Sequence, residues 1–245
     1  MKTNARAVVI GGGAIGVSVA YHLAKYGWEN DVVLVEKHEL TSGSTWMAAG
    51  NVSFFHGNYY GTRVNMKSIE IFKGLEKETG QNVGWHTTGS IRTADNPARM
   101  DELGYAYSMN RCLGLDVSWL TPEEIGQKHP FIQTEGLLGG LYWPDDGDVD
   151  PNSVTQAMAK GARNHGVEIN LHTLVTAIEQ KENDEWVVKT DKGDITCEYV
   201  VNAAGLWAKQ VGRMAGIELP VSPLKHHYLV SDSIPELEQL DFEVP

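Results

Sequence analysis

Six residues near the start of the chain, Gly11-Gly12-Gly13-Ala14-Ile15-Gly16, carry the spacing G-x-G-x-x-G. That spacing serves phosphate binding. Gly11 permits a tight turn out of a strand, Gly13 lacks a Cβ and lets a pyrophosphate approach the main chain, and Gly16 lets a helix pack closely on the strand. The phosphate charge is then met by amides at a helix N-terminus rather than by lysines. Glu36 follows, and its carboxylate can accept hydrogen bonds from ribose hydroxyls while repelling a 2′-phosphate. Read without context, the same six residues are only a glycine turn.

The context is a strand, a helix and a second strand. Ala7-Val8-Val9-Ile10 reads as a buried parallel strand running into the glycines. Val17, Ala20, Tyr21 and Ala24 follow at helical spacing, and Gly27 is placed to end that helix. Val32-Val33-Leu34-Val35 is the second strand, closed by Glu36. This arrangement predicts a dinucleotide site, but the motif alone does not separate a nicotinamide from a flavin dinucleotide.

Two further stretches bear on that choice. After Glu36 the chain enters a loop of small and hydroxyl residues, Gly43-Ser44-Thr45-Trp46-Met47-Ala48-Ala49-Gly50-Asn51. Small residues allow the backbone near a flat ligand, and hydroxyls supply donors. Far along the chain, Tyr199-Val200-Val201-Asn202 reads as a strand that delivers Ala203-Ala204-Gly205, with Trp207 just beyond. Beside the first glycine turn, such a strand would complete a flavin adenine dinucleotide site.

These stretches resemble the dimethylglycine and sarcosine dehydrogenase family, among the D-amino acid oxidase-like flavoproteins. Glu78-Thr79-Gly80-Gln81, Gly89-Ser90-Ile91-Arg92, Leu138 to Tyr142, Asp146-Gly147 with Asp150-Pro151, and His226-x-Tyr228 fit the same pattern. The resemblance covers nearly the whole chain. It implies FAD, with Ile15 and Gly16 at the phosphates, Glu36 at the ribose and residues 43–51 around pyrophosphate and flavin. It also implies a backbone contact from Val175 near the adenine, and Trp207 near the flavin cleft. The implied reaction oxidises an N-methylated glycine-type amine, dimethylglycine or sarcosine, to an iminium, with hydride transfer to flavin N5. The electron acceptor, oxygen or an electron-transfer flavoprotein, is left open.

One position departs from the family. Members that attach flavin covalently have histidine where this chain has Met47, and a thioether cannot replace the imidazole nitrogen. The expectation is therefore non-covalent FAD. The same departure leaves an alternative, a catalytically inactive flavin-binding regulatory or structural subunit.

Histidine suits amine oxidation because its ordinary pKa of about 6.5 lets it favour a neutral amine or take a proton. His226 and His227 are adjacent on an expected strand and so point to opposite faces. The family pattern selects His226 as the catalytic candidate. Tyr228, on the same face, could donate to a substrate carboxylate. His22, His86, His129, His165 and His172 lack metal-ligand spacing, and the alternating acids at Asp146, Asp148 and Asp150 lack the length and closing Glu of a calcium loop. No metal is expected.

Composition narrows the classes further. The 245 residues hold 20 Lys plus Arg against 32 Asp plus Glu, a net charge of −12 that disfavours nucleic acid. Only two cysteines occur, so neither a disulfide scaffold nor a cysteine zinc site is expected. No window reads as a membrane span. The few residues ahead of Ala7 leave no room for a signal or presequence, and the expectation is a cytoplasmic protein.

The remaining pattern predicts a helix around residues 68–75, strands at 89–93 and 137–143, and a short helix from Pro122 capped by Thr121. A helix after Asp150-Pro151 and a hairpin around residues 191–194 follow. The expected fold is α/β: an FAD-binding Rossmann-type domain with an interleaved, mainly antiparallel-sheet substrate domain. The first would be discontinuous, residues 1–85 and 146–220. The second would be partial, residues 86–145 and 221–245. The family continues beyond this point with more substrate-domain strands, so the chain reads as a fragment or as one half of a split enzyme.

Overall fold

The computed structural model describes all 245 residues. In chain order it runs β1 (Asn4–Ile10), α1 (Ala14–Lys25), β2 (Val32–Val35), β3 (Asn51–Val52), α2 (Tyr59–Thr79), β4 (Ser90–Ala94) and α3 (Pro97–Cys112). There follow β5 (Ser118–Leu120), α4 (Pro122–Lys128), β6 (Gly139–Trp143), β7 (Gly147–Asp148), α5 (Pro151–Asn164) and β8 (Glu168–Asn170). The last elements are β9 (Val175–Gln180), β10 (Trp186–Thr190), β11 (Gly193–Asn202), α6 (Ala208–Met214) and α7 (Pro235–Glu238). No helix is long and apolar enough to cross a membrane.

The chain divides into two compact units. The first comprises Met1–Ala49, Gly74–Val83 and Asp150–His226, and the second Gly50–Lys73, Gly84–Val149 and His227–Pro245.

The first unit is built on a six-stranded sheet of order β8-β2-β1-β11-β10-β9. Strands β8, β2, β1 and β11 are parallel, while β10 runs antiparallel to β11 and β9 antiparallel to β10. All four residues of β2 are buried, as a central parallel strand covered on both faces requires. One side of the sheet packs Val8, Val33, Val35, Ile178, Val188, Ile195 and Val211 into a single core. Burying each such side chain contributes roughly 1.5–3 kcal/mol before chain entropy is charged against it. Helices α1 and α5 pack against each other closely enough that a Cβ on Gly161 would lie 2.7 Å from the Tyr21 ring. The Tyr21 hydroxyl donates to Glu78 at 2.6 Å, and Lys25 reaches both groups.

The hairpin expected around residues 191–194 forms between β10 and β11, but its second arm is longer than expected. Strand β11 is one ten-residue strand, not a short hairpin arm followed by a separate strand. Its first half pairs antiparallel with β10, and from Thr196 onward it also pairs parallel with β1. The alternation of Ile195 and Cys197, both buried, serves both neighbours at once.

The second unit holds an antiparallel sheet of order β4-β6-β5 and a short β3-β7 pair. Its core gathers Phe54, Ile69, Ala94, Leu103, Ala106, Val117, Leu141 and Trp143. Within it, Asp146 is fully buried. Its carboxylate accepts from the Ser53 hydroxyl at 2.6 Å, the Ser90 hydroxyl at 2.5 Å and the Phe54 amide at 2.8 Å. Helix α4 begins as expected: the Thr121 hydroxyl accepts from the Glu124 amide while the Glu124 carboxylate accepts from the Thr121 amide.

A candidate dinucleotide site in the first unit

Strand β1 ends at Ile10 and the chain turns at Gly11, whose φ of +119° belongs to glycine. The turn also packs backbone on backbone. A Cβ on Gly11 would lie 2.3 Å from the Ala203 carbonyl oxygen, and one on Gly16 would lie 1.9 Å from the Gly11 carbonyl oxygen. Gly16 therefore lets α1 close onto the turn, and Gly11 lets the turn close onto the end of β11.

Helix α1 opens from Gly13, which has no side chain to cap it. The Thr45 hydroxyl takes over part of that task, accepting from the Ala14 amide at 3.0 Å. Val17 donates to the Gly13 carbonyl, but the amides of Ile15 and Gly16 find no acceptor in the chain. Two free N–H groups at the positive end of a twelve-residue helix are an arrangement that can hold an anion.

Glu36 is held in place from both sides. Its Oε2 accepts from the Gly12 amide at 2.6 Å and its Oε1 from the His38 amide at 2.9 Å. Its own backbone carbonyl accepts from the Thr173 amide at 2.8 Å, so the end of β2 is tied to the segment that leads into β9. The carboxylate thus stands next to the glycine turn with lone pairs left for further donors.

These groups line one cleft of about 430 Å³. Gly11, Gly13, Ile15, Glu36, Gly43, Ser44, Thr45, Val175, Gly205 and Trp207 all contribute to its wall. Gly16 does not; it lies buried beneath the turn. Trp46, Met47, Ala48 and Ala49 are also outside the wall, and the indole of Trp46 and the thioether of Met47 are exposed. Gly50 and Asn51 belong to the second unit, where Asn51 pairs with Asp148 in the β3-β7 ladder.

The strand expected to carry His226 and Tyr228 is not formed. Residues 217–234 make no strand pairing, and both side chains are exposed. Alternating faces require a ladder partner, and none of the three sheets offers one to this segment. His226 closes the first unit and Tyr228 falls in the second. Neither lines the cleft.

Other lining residues escaped the sequence reading. Lys37 follows Glu36 directly, and Thr173 and Leu174 precede Val175. Gln210, Val211 and Met214 come from α6. Their spacing was a usable signal, because residues three and four apart share a helix face.

A parallel α/β core with a glycine turn, free helix amides and an acid at the end of the second strand defines a dinucleotide-binding oxidoreductase domain. The chain belongs to the FAD dependent oxidoreductase family (DAO), whose model matches residues 6–245. It is 43% identical to rat mitochondrial dimethylglycine dehydrogenase over 244 residues, which is 100% of this chain and 28% of that protein. It is 34% identical to human mitochondrial sarcosine dehydrogenase over 98% of this chain and 27% of that one. Among solved structures, L-proline dehydrogenase from P. horikoshii matches with a TM-score of 0.82 and 30% identity, over 91% of this chain and 58% of that one. The chain thus spans little more than a quarter of the length of these curated relatives.

The cytoplasmic location expected from the sequence is overturned by the same relatives. The dimethylglycine and sarcosine dehydrogenases are named as mitochondrial. The expectation rested on the few residues ahead of β1, and their number carries no information about the compartment.

The cleft fits the family's cofactor. Free amides suit a pyrophosphate, and the fixed carboxylate of Glu36 suits a ribose diol. The apolar stretch through Val175, Leu174 and Met214 suits a flat base.

Proposed function

We propose that this chain is the FAD-binding part of an oxidoreductase acting on an N-methylated glycine-type amine, dimethylglycine or sarcosine. The observation that carries the cofactor half is the free Ile15 amide and the fixed Glu36 carboxylate on one cleft wall, with the free Gly16 amide just beneath it. In this reading the first unit binds the dinucleotide and the second belongs to the substrate side. Residues 43–51 approach the pyrophosphate and flavin. The likeness to the two N-methyl amine dehydrogenases supports the substrate class.

When bound, FAD supplies the acceptor for a hydride from the substrate's N-methyl carbon, leaving an iminium. The chain's own tasks are to hold the phosphates on amides, hold the ribose on Glu36 and shield the base with apolar side chains. His226 is proposed to favour the neutral amine, and Tyr228 to donate to the substrate carboxylate. Met47 supports non-covalent attachment, because its thioether lacks the nitrogen that an imidazole would offer to the ring.

The test begins with the purified chain and FAD. Yellow protein with a saturable flavin absorbance change is expected, and acid precipitation is expected to release all flavin into the supernatant. Flavin fluorescence remaining on the denatured polypeptide would overturn non-covalent binding. Anaerobic addition of dimethylglycine or sarcosine to the complete enzyme is expected to bleach the flavin. Persistent colour with both amines would overturn the substrate class.

A further inference from the structure

Lys37 is the only cationic side chain on the wall of the cleft, as Glu36 is the only acidic one. The two do not pair. Glu36 accepts from the amides of Gly12 and His38, and Lys37 forms no ion pair with it or with any other carboxylate. Its ammonium stands instead 3.2 Å from the ring centroid of Trp207. An ammonium over an indole face is held by the ring quadrupole, with Trp the best of the aromatic partners.

The indole has a second neighbour. A Cβ on Gly43 would lie 3.8 Å from Cζ3 of Trp207, so the ring edge rests against the loop that follows β2. Trp207 therefore spans between the end of β2 and the Gly43 loop, two walls of the same cleft. It is still 37% exposed, so one side of the ring faces solvent. Lys37 and Trp207 lie far apart in sequence, and their contact joins the two ends of the nucleotide fold across the cleft.

We propose that Lys37 and Trp207 form a clasp that must part before the dinucleotide leaves the cleft. This rests on the cofactor reading above. Lys37 acts as a positioning residue: it holds the indole down over the cleft. The clasp governs release more than capture, because a free cleft can load while the indole is out.

The test loads the chain with FAD, dilutes it into excess ADP and follows the rise of free-flavin fluorescence. Lys37→Met and Trp207→Leu are each expected to release FAD about tenfold faster than wild type. The double variant is expected to be no faster than either single one, since both remove one contact. Lys37→Arg, which keeps the cation, is expected to stay near wild type. The melting temperature of flavin-free Lys37→Met is expected to match wild type, which separates a clasp from damage to the fold. Release from Lys37→Met within twofold of wild type overturns the clasp alone. So does a double variant whose rate is the product of the two singles. No FAD uptake by wild type removes the cofactor reading and the clasp with it.

Discussion

A Cβ at position 16 would press on the Gly11 carbonyl oxygen, a backbone atom fixed by the turn and by β11 behind it. Position 13 is different. A Cβ there would meet only the Thr45 hydroxyl, at 3.1 Å. The two glycines therefore do different work, one inside the fold and one toward the ligand. Gly16→Ala is expected to lower the melting temperature of the flavin-free chain and to weaken FAD binding. Gly13→Val is expected to melt close to wild type and yet lose the flavin absorbance. Thermal melts beside FAD titrations read both, and an unaltered titration for Gly13→Val would take the pyrophosphate away from this turn. Glu36→Ala is expected to cost ~1.5–3 kcal/mol of FAD affinity, the scale of a hydrogen bond to a charged group. Isothermal titration checks it, and an unchanged dissociation constant would remove Glu36 from the site.

At the scale of elements, legibility followed locality. The run from β1 through α1 to Glu36 was readable because each signal lies within a few residues of the next. The cap on α4 was readable for the same reason. Helix α3 was not singled out, since its buried face is only Leu103, Ala106 and Asn110 and a glycine interrupts it at Gly104. The double pairing of β11 was invisible because it depends on a partner almost two hundred residues earlier. Cys197 on that strand shows the chemical effect. Burial pushes its thiol up to about 11, while Cys112 is exposed on α3. Ellman's reagent is expected to titrate one thiol in the native chain and both in denaturant. Two fast thiols in the native state would contradict the buried strand.

Asp146 links elements in the second unit, and its carboxyl carries a pH signature. Burial pushes its pKa up, against the opposing hydrogen bonds from Ser53, Ser90 and Phe54 and the charge of Arg92. A carboxyl raised on folding binds its proton more tightly in the folded chain. Its contribution to stability is then largest at low pH and declines as pH rises from the ordinary value near 3.9 toward the raised one. Asp146→Asn keeps an acceptor for the Phe54 amide but does not titrate. The stability of wild type relative to this variant is expected to fall across that window, read from urea midpoints. Asp146→Ala leaves its donors unmet and is expected to cost more, ~1–3 kcal/mol for each donor stranded without water. A flat difference between wild type and Asp146→Asn would contradict the raised pKa.

For the molecule as a whole, the net charge of −12 and an anionic cofactor are reconciled locally. The cleft offers helix amides and one lysine, so overall acidity need not oppose a pyrophosphate at short range. The class of the chain was legible because dispersed motifs occur in order along nearly its full length. The placement of His226 and Tyr228 was not, because facing on a strand is set by ladder partners, and residues 217–234 have none here. The compartment was illegible for another reason, since it is not a property of the fold.

Strand β1 has one edge on β2 and the other on β11. The first neighbour follows within thirty residues, whereas the second is Gly193–Asn202. During translation at ~5–20 residues per second, roughly 10–40 s pass between the emergence of β1 and that of its second neighbour. Through that interval a β-branched strand offers an open row of amides and carbonyls to any other nascent chain. A chain stopped just before Gly193 is expected to sediment with aggregates on expression, while one stopped after α6 stays in the supernatant. Equal recovery of the two would show that β1 is shielded by something other than β11. Until the ribosome reaches the strand that closes its sheet, the nascent chain carries an unsealed β-edge.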